Sequence, residues 1–366
     1  MSEHVAIVLG TRPEIIKLAP VIRACETGGI QYTLIHTGQH YSESMDQVFF
    51  DQLELPEPDY NLAVGSASHG RQTGQMLIEL EGILETIQPD TVLVQGDTNS
   101  VLAGALTAGK LDITVGHVEA GLRSFDRAMP EELNRVVADH VADRLYAPTD
   151  RSRQQLRDEG IPDDRITVTG NTVVDAVSQH RGIAAEHSTI CAELGVEPGE
   201  LFLLTAHRAE NVDDPDRFER LLEGVGRAAA AHETDVIYPI HPRSAKRLDT
   251  FGLTVPDRIR TIEPLDYLDF LRLESAAELI LTDSGGVQEE ACILGVPCVT
   301  LRDSTERPET ITAGANRLCP PGSGEIEEAV LEALFTDRSW DPPFGDGTAG
   351  IRIVEDVTGR RLTPIP

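Results

Sequence analysis

The stretch Leu279-Ile-Leu-Thr-Asp-Ser-Gly-Gly-Val-Gln-Glu-Glu-Ala-Cys-Ile-Leu294 decides how the rest of the chain reads. Leu279 to Leu281 is an apolar run the length of a buried strand. A tight turn follows at Asp283, Ser284, Gly285 and Gly286, and then a helix whose first turn is expected to carry Gln288, Glu289 and Glu290. Two glycines at a strand-to-helix turn let backbone N–H groups approach a ligand closely. The positive end of the helix dipole makes an anion, typically a phosphate, the natural guest. Asp-Ser-Gly-Gly also surrounds the nucleophile of all-β proteases, but this chain alternates strands and helices. The elbow G-x-S-x-G fails because Thr282 stands two residues before Ser284. Taken alone, the turn reads best as a plain capped helix start; the rest of the chain reverses that.

The alternation runs the whole length. His4–Leu9, Tyr32–His36, Thr91–Gln95, Ile113–Val118, Leu145–Ala147 and Ile166–Thr169 read as strands separated by helices. A second series begins at Leu201–Thr205 and continues through Val236–Ile240, Ile259–Ile262, Leu279–Thr282 and Cys298–Leu301. The fold class is α/β, two Rossmann-like domains with parallel sheets. The first is placed at 1–170 and the second at 171–346, and the tail reads as one more helix, Ile351 to Val357. Ligands of such sheets bind at the carboxyl ends of strands. Arg12, His40, Asp97, Glu119, His207, His241 and Ser284 all fall there, and two sheets facing across a cleft would gather them.

Composition narrows the partners. The 366 residues are 40% hydrophobic, enough for two cores. Formal net charge is −30, from 61 acidic and 31 basic residues, and Lys17, Lys110 and Lys246 are the only lysines. Such self-repulsion is destabilising unless screened; at about 1 M salt the Debye length falls to about 3 Å. A salt-adapted, halophilic source is expected. Nucleic acid is disfavoured, since no basic face is visible. An anionic substrate must be held by a few local cations. No apolar run reaches about 18 residues, so no membrane span is expected. The start at Met-Ser-Glu-His lacks the basic region of a signal peptide. Cys25, Cys191, Cys292, Cys298 and Cys319 form no C-x-x-C pair and read as small buried hydrophobes of a reducing cytoplasm.

Three decoys are set aside. Gly104-Ala-Leu-Thr-Ala-Gly-Lys110 resembles a Walker A loop, but Leu111 follows where Ser or Thr is needed. His117-Val-Glu119 matches the H-x-E of zinc deaminases, but no P-C-x-x-C follows. No G-x-G-x-x-G opens a βα turn, so no tightly bound nicotinamide is signalled.

Several blocks together resemble one family: Gly10-Thr-Arg-Pro-Glu-Ile-Ile-Lys17, His36-Thr-Gly-Gln-His40, Gln95-Gly-Asp-Thr98, His117-Val-Glu-Ala-Gly-Leu-Arg123 and Pro130-Glu-Glu-Leu-Asn-Arg135 in the first half. Thr205-Ala-His-Arg-Ala-Glu-Asn211, Ile240-His-Pro-Arg243, Thr282-Asp-Ser-Gly-Gly-Val-Gln-Glu-Glu-Ala291 and Thr305-Glu-Arg-Pro-Glu309 follow in the second. In order and spacing, from about residue 5 to about residue 355, the chain resembles the non-hydrolysing UDP-N-acetylglucosamine 2-epimerases. The resemblance implies two Rossmann-like domains in the GT-B arrangement with the C-terminal helix, in 347–366, returning to the first domain, a cytoplasmic homodimer, no metal and no nicotinamide. The implied reaction interconverts UDP-GlcNAc and UDP-ManNAc, supplying ManNAc units for surface polysaccharides or glycans.

C2 of the sugar is not next to a carbonyl, so its proton is too weakly acidic for direct removal. The family route is anti elimination of UDP to 2-acetamidoglucal, followed by re-addition after protonation of the opposite face. That chemistry needs carboxylates near C2 and cations on the diphosphate. Asp97, Glu119 and Glu131 match the family's catalytic carboxylates; which of them takes the C2 proton stays open. His207 is assigned to the departing diphosphate. Arg12, Arg135 and Arg307 are the expected clamps, with Lys17 supporting carboxylates or phosphate. Ser284, Gly285 and Gly286 are expected at the diphosphate and Glu290 at the ribose. Phe270 lies either near the uracil or in the core. Gln39, His40, Arg71, Glu132 and His241 match parts of an allosteric substrate site of bacterial members, but Ser42 departs from that pattern. A hydrolysing epimerase and a GT-B UDP-sugar glycosyltransferase remain the competing readings.

Overall fold

The computed structural model describes residues 3–39 and 49–363. Its internal contacts divide the chain into two units, one comprising Met1–Ser178 with Phe344–Pro366, the other Gln179–Pro343. The helix Thr172–His187 crosses this division; the sequence-drawn boundary at 171 precedes it.

The first unit holds β1 (His4–Leu9), β2 (Gln31–His36), β3 (Tyr60–Asn61), β4 (Thr91–Gln95), β5 (Thr114–Val118), β6 (Arg144–Ala147) and β7 (Ile166–Val168). Among the described residues they form one sheet in the order β3-β2-β1-β4-β5-β6-β7, with parallel pairing throughout. The second unit holds β8 (Leu201–Thr205), β9 (Asp235–Pro239), β10 (Ile259–Ile262), β11 (Leu279–Thr282), β12 (Cys298–Thr300) and β13 (Asn316–Leu318). Its order is β10-β9-β8-β11-β12-β13, again parallel. Each sheet reverses its winding once, between β1 and β4 and between β8 and β11, and such a switch point is where open α/β sheets bind ligands.

Strands buried on both faces need continuous apolar runs. Ala6, Val8, Val92 and Val94 in the first unit and Phe202, Leu204, Leu279 and Leu281 in the second are fully buried in the cores. Helix starts are set locally. Pro13 opens Arg12–Gly28, where its missing N–H costs nothing. Thr98 caps Asn99–Lys110 by accepting from the Val101 N–H. Asp214 does the same for Pro215–Ala231 through Arg217 N at 2.9 Å. The helix after β11 runs Gly285–Leu294, so Gly285 and Gly286 form its first turn and Glu289 and Glu290 lie in the second. This corrects the expected placement of the two glutamates.

The C-terminal helix Ala349–Thr358 packs in the first unit against Arg12–Gly28. Asp175 caps it, accepting from Ala349 N at 3.2 Å and Gly350 N at 2.9 Å. Asp356 accepts from Arg144 at 2.8 Å and the Tyr146 hydroxyl at 3.0 Å. The helices meet at Gly350, where a Cβ would lie 2.8 Å from the Pro20 carbonyl carbon and oxygen. Backbone cannot yield as a flexible side chain can, so Gly350→Ala should cost about 1–3 kcal/mol. Denaturant unfolding at fixed salt reads this, and an unchanged midpoint would contradict the packing described.

Candidate active site

The turn after β1 and the turn after β4 are joined by Glu14. This carboxylate is 1% exposed. Its Oε2 accepts from Gly10 N at 2.9 Å and Thr11 Oγ1 at 2.8 Å, and its Oε1 from Thr98 Oγ1 at 2.7 Å. Burial pushes the acid up, the three donors and the nearby Asp97 modify the effect, and the result is about 7. Arg12, one residue into the turn, stacks its guanidinium over Phe49 at 5.6 Å.

Glu119 leaves β5 with φ +67, a left-handed backbone that a non-glycine residue adopts at a cost. Its side chain is 4% exposed. Lys17, on the helix opened by Pro13, donates to both carboxylate oxygens at 2.7 Å. Gln95, the last residue of β4, donates to Oε2. A buried carboxylate in strained backbone against an ammonium is the arrangement expected of a working group rather than a surface acid. Asp97 is paired with Arg135, which also donates to Glu132 at 2.9 Å. Asn134 donates to the Asp97 carbonyl at 2.9 Å. Glu131 is half-buried and its side chain makes no hydrogen bond or ion pair among the described residues. The first unit therefore unites Lys17, Gln95 and Glu119 in one hydrogen-bonded group and Asp97, Glu132 and Arg135 in another.

The second unit is organised by Asp283, which is fully buried. It accepts from the backbone N–H groups of His207 and Arg208, both at 2.9 Å, and from Asn211 Nδ2 at 3.1 Å. The His207 ring places Nδ1 3.1 Å from Asp283 Oδ1. Burial raises the Asp283 acid, but His207, Arg208 and Asn211 overcome this and hold it below the usual carboxylate range. An ionised carboxylate keeps the His207 proton on Nδ1, so Nε2 is the nitrogen available to a ligand. His241 lies 5.5 Å away, ring to ring, and accepts from Arg243 N at 3.1 Å as a helix cap.

The turn Ser284-Gly285-Gly286 opens the helix with no side-chain cap. Arg307 pairs with buried Glu289 at 2.8 Å. Arg302 pairs with Glu306 at 2.7 Å and Glu210 at 3.0 Å. Burial opposes ionisation of Glu306, but Arg302 and Arg208 bring it down to about 2. Glu290 is half-buried and shares a carboxyl–carboxyl contact with fully buried Glu274, which burial and Glu290 push well above the carboxylate range. Phe270 is half-buried against the core of Leu201, Leu273 and Ile280.

Of the residues matched to an allosteric site, Gln39 is buried and accepts from Ser100 N at 3.1 Å and Ser100 Oγ at 2.8 Å. Glu132 accepts from the backbone of Ser124 and Phe125 at 2.9 and 3.0 Å. Burial raises its acid, but Ser124, Arg135 and Phe125 hold it low. Arg71 is exposed on the helix His69–Ile87. His40 and Ser42 lie outside the described residues. Sequence reading singled out neither Glu14, Asp283, Arg302 nor Glu274. The signal for Asp283 was present, an acid directly after an apolar strand; that for Glu274, an acid within Leu271-Arg-Leu-Glu-Ser-Ala276, is an acid on an apolar helix face.

Glu14 yields a stability prediction. Its folded-state value of about 7 lies above the unfolded 4.5. Its contribution is therefore fully present below about pH 4.5 and lost as pH rises through about 7. Glu14→Gln mimics the protonated acid, so wild type should lose up to about 3 kcal/mol relative to the variant across that window. Parallel stability–pH curves for the two proteins would refute the assignment.

A family model described as UDP-N-acetylglucosamine 2-epimerase matches residues 23–358. A UDP-N-acetylglucosamine 2-epimerase of Methanocaldococcus jannaschii is 54% identical over 359 residues, 96% of this chain and 98% of its own. One of Methanococcus maripaludis is 51% identical over 363 residues, 98% of this chain and 99% of its own. A crystal structure of the M. jannaschii enzyme in complex with UDP-GlcNAc and UDP is similar with a TM-score of 0.86 and 53% identity, covering 98% of this chain and 100% of that one. A match across almost the whole chain, with strand-end residues arranged as described, places it in one group: the chain belongs to the UDP-N-acetylglucosamine 2-epimerase family.

Proposed function

We propose that the protein reversibly epimerises C2 of UDP-N-acetylglucosamine, giving UDP-N-acetylmannosamine. The observation that carries the chemistry is the Glu119 carboxylate, buried, in left-handed backbone, and held by Lys17 and Gln95 at a strand end. In the forward half-reaction a carboxylate takes the C2 proton, the C2–H electron pair forms the C1=C2 double bond, and the C1–O bond breaks to release UDP. The intermediate is 2-acetamidoglucal. Return of a proton to the opposite face of C2, with attack of UDP oxygen at C1, completes the inversion. Asp97, Glu119 and Glu131 are the proton carriers.

His207 is the group at the departing diphosphate, with Asp283 fixing the proton on Nδ1 so that Nε2 faces the ligand. The uncapped helix start at Ser284, Gly285 and Gly286 is the diphosphate seat. Glu290 accepts from the ribose hydroxyls, and Phe270 flanks the base. Arg307 is the clamp residue of the second unit and Arg12 that of the first. In the second unit Arg208 and Arg302 add positive charge next to that turn, although each is already engaged with Glu306. Arg135 acts through Asp97 rather than as a free phosphate ligand. Gln39, Arg71, Glu132 and His241 are left as the allosteric contacts. The protein acts in the cytoplasm of a salt-adapted cell; among the described residues no helix is long and apolar enough to cross a membrane.

Incubation with UDP-GlcNAc alone in D2O at high salt separates the readings. Deuterium at C2 with UDP retained is expected. Free ManNAc would favour a hydrolysing epimerase, and absence of exchange until an acceptor is added would favour a glycosyltransferase. Asp97→Asn and Glu119→Gln should each lower exchange by about 100-fold or more with the fold intact, the usual scale of a lost acid–base group. Normal turnover by either variant would remove that residue from the mechanism. The assembly proposed is a homodimer, so light scattering should give twice the 39.8 kDa chain mass; a monomer at working concentration would reject it.

A further inference from the structure

His117 was set aside as half of a zinc motif, and the mechanism above does not use it. It stands in β5, 1% exposed. Its Nε2 lies 2.8 Å from the Gly96 carbonyl oxygen and its Nδ1 2.7 Å from Asp139 Oδ1. A carbonyl oxygen only accepts, so Nε2 carries a hydrogen. The other Asp139 oxygen accepts from Gly121 N at 3.2 Å and from the Arg123 guanidinium at 2.7 Å. A carboxylate so placed is ionised and also only accepts, so Nδ1 carries a hydrogen as well. A ring with two N–H groups is an imidazolium. Burial opposes that charge, but Asp139 and the Gly96 carbonyl outweigh it, and His117 lies above its ordinary value while Asp139 lies below its own.

The pair joins two turns. Gly96, with φ +85, immediately precedes Asp97, and its N–H donates to Val118 O at 3.1 Å. Gly121, with φ +83, follows Glu119 by two residues. A Cβ at Gly121 would lie 2.4 Å from the Ser152 carbonyl, so this turn has no room to shift. One ion pair therefore fastens the backbone beside both Asp97 and Glu119. The charged groups around it are Asp139 from the helix Pro130–Val141, Arg123 from the segment after β5, and Glu159, which binds Arg123 at 2.6 Å; Glu119 sits at the exit of the same strand.

We propose that His117, as a buried imidazolium bridging Asp139 and the Gly96 carbonyl, is a positioning residue that fixes the turns carrying Asp97 and Glu119 and supplies a fixed positive charge behind them. The inference rests on the epimerase reading for its kinetic consequence, but the charge and the turn order do not. His117→Gln removes that charge from behind both turns.

The first measurement is nitrogen NMR of wild-type protein labelled at histidine, with His117 identified by its loss in His117→Gln. Both ring nitrogens should stay protonated from about pH 6 to about pH 9, well past the ordinary histidine range. A neutral ring at about pH 8 would overturn the proposal. The second is C2 deuterium exchange. In His117→Gln, kcat should fall about tenfold or more with KM within about twofold, and the acid limb of the pH profile should move up by about half a unit or more. A fall in kcat with the limb unmoved would mean the ring is only structural. If His117→Gln does not fold, Asp139→Asn substitutes: its His117 ring should titrate near the ordinary range, and a ring still charged throughout would reject the pairing. Should wild type fail to exchange C2 deuterium, the epimerase reading falls; the Gly96 and Gly121 amide resonances then decide, since the proposal requires both to move in His117→Gln.

Discussion

A carboxylate taken out of water keeps its charge only if the protein supplies donors in place of solvent, because an unmatched ionised group costs several kcal/mol. Much of this fold's local geometry follows from that constraint. Glu14, Asp139 and Asp283 are each 1% exposed or less. Each gathers backbone N–H groups from a strand-end turn: Gly10 for Glu14, Gly121 for Asp139, His207 and Arg208 for Asp283. The donors are fixed to the main chain, so satisfying the acids also fixes the turns. Asp139, with the Arg123 guanidinium beside it, and Asp283, with the His207 and Arg208 N–H groups, Asn211 and the His207 ring, are held below the usual carboxylate range; burial leaves Glu14, with no cation beside it, raised to about 7.

The two units apply this device from opposite directions. In the first, the acids sit on helices and reach into turns after β1, β4 and β5. In the second, the acid leaves β11 and reaches across to the turn after β8. The net charge of −30 sharpens the need for such economy. Cations near the proposed ligand groups are already engaged: Lys17 by Glu119, Arg135 by Asp97, Arg302 by Glu306 and Arg307 by Glu289. Under the proposed function, a diphosphate at the second unit would meet paired rather than bare guanidinium groups, and its binding would redistribute existing ion pairs.

Much of this was legible in the sequence. Apolar runs such as Leu201–Thr205 and Leu279–Thr282 match their strands to the residue, because a strand buried on both faces cannot interleave polar side chains. β3 and β13 escaped: Tyr60–Asn61 and Asn316–Leu318 are too short and too polar to carry such a pattern. Glu119 and Asp97 stood out by following apolar strands. Glu14 did not, because three residues after a turn an acid reads as ordinary helix-start charge. Asp139 was hidden for a different reason. Its partners His117 and Arg123 come from the preceding strand and loop, and nothing in a local window links them to an acid in the last turn of a helix.

The C-terminal helix gives the fold a temporal asymmetry. Ala349–Thr358 belongs to the first unit, is capped by Asp175 and covers Pro20, yet it is made after the whole second unit. As the chain emerges from the ribosome, the second unit has all its strands before the first has its final helix. The first unit must hold an open apolar flank at Pro20 through that interval. Contacts between Pro20 and Gly350 close a loop that spans almost the whole chain, and loop closure of this length is slow. Completion of the first unit, including the packing of the helix that carries Lys17, thus waits until the second unit has been made. A chain released early would carry a finished second unit beside a first unit that lacks its closing helix.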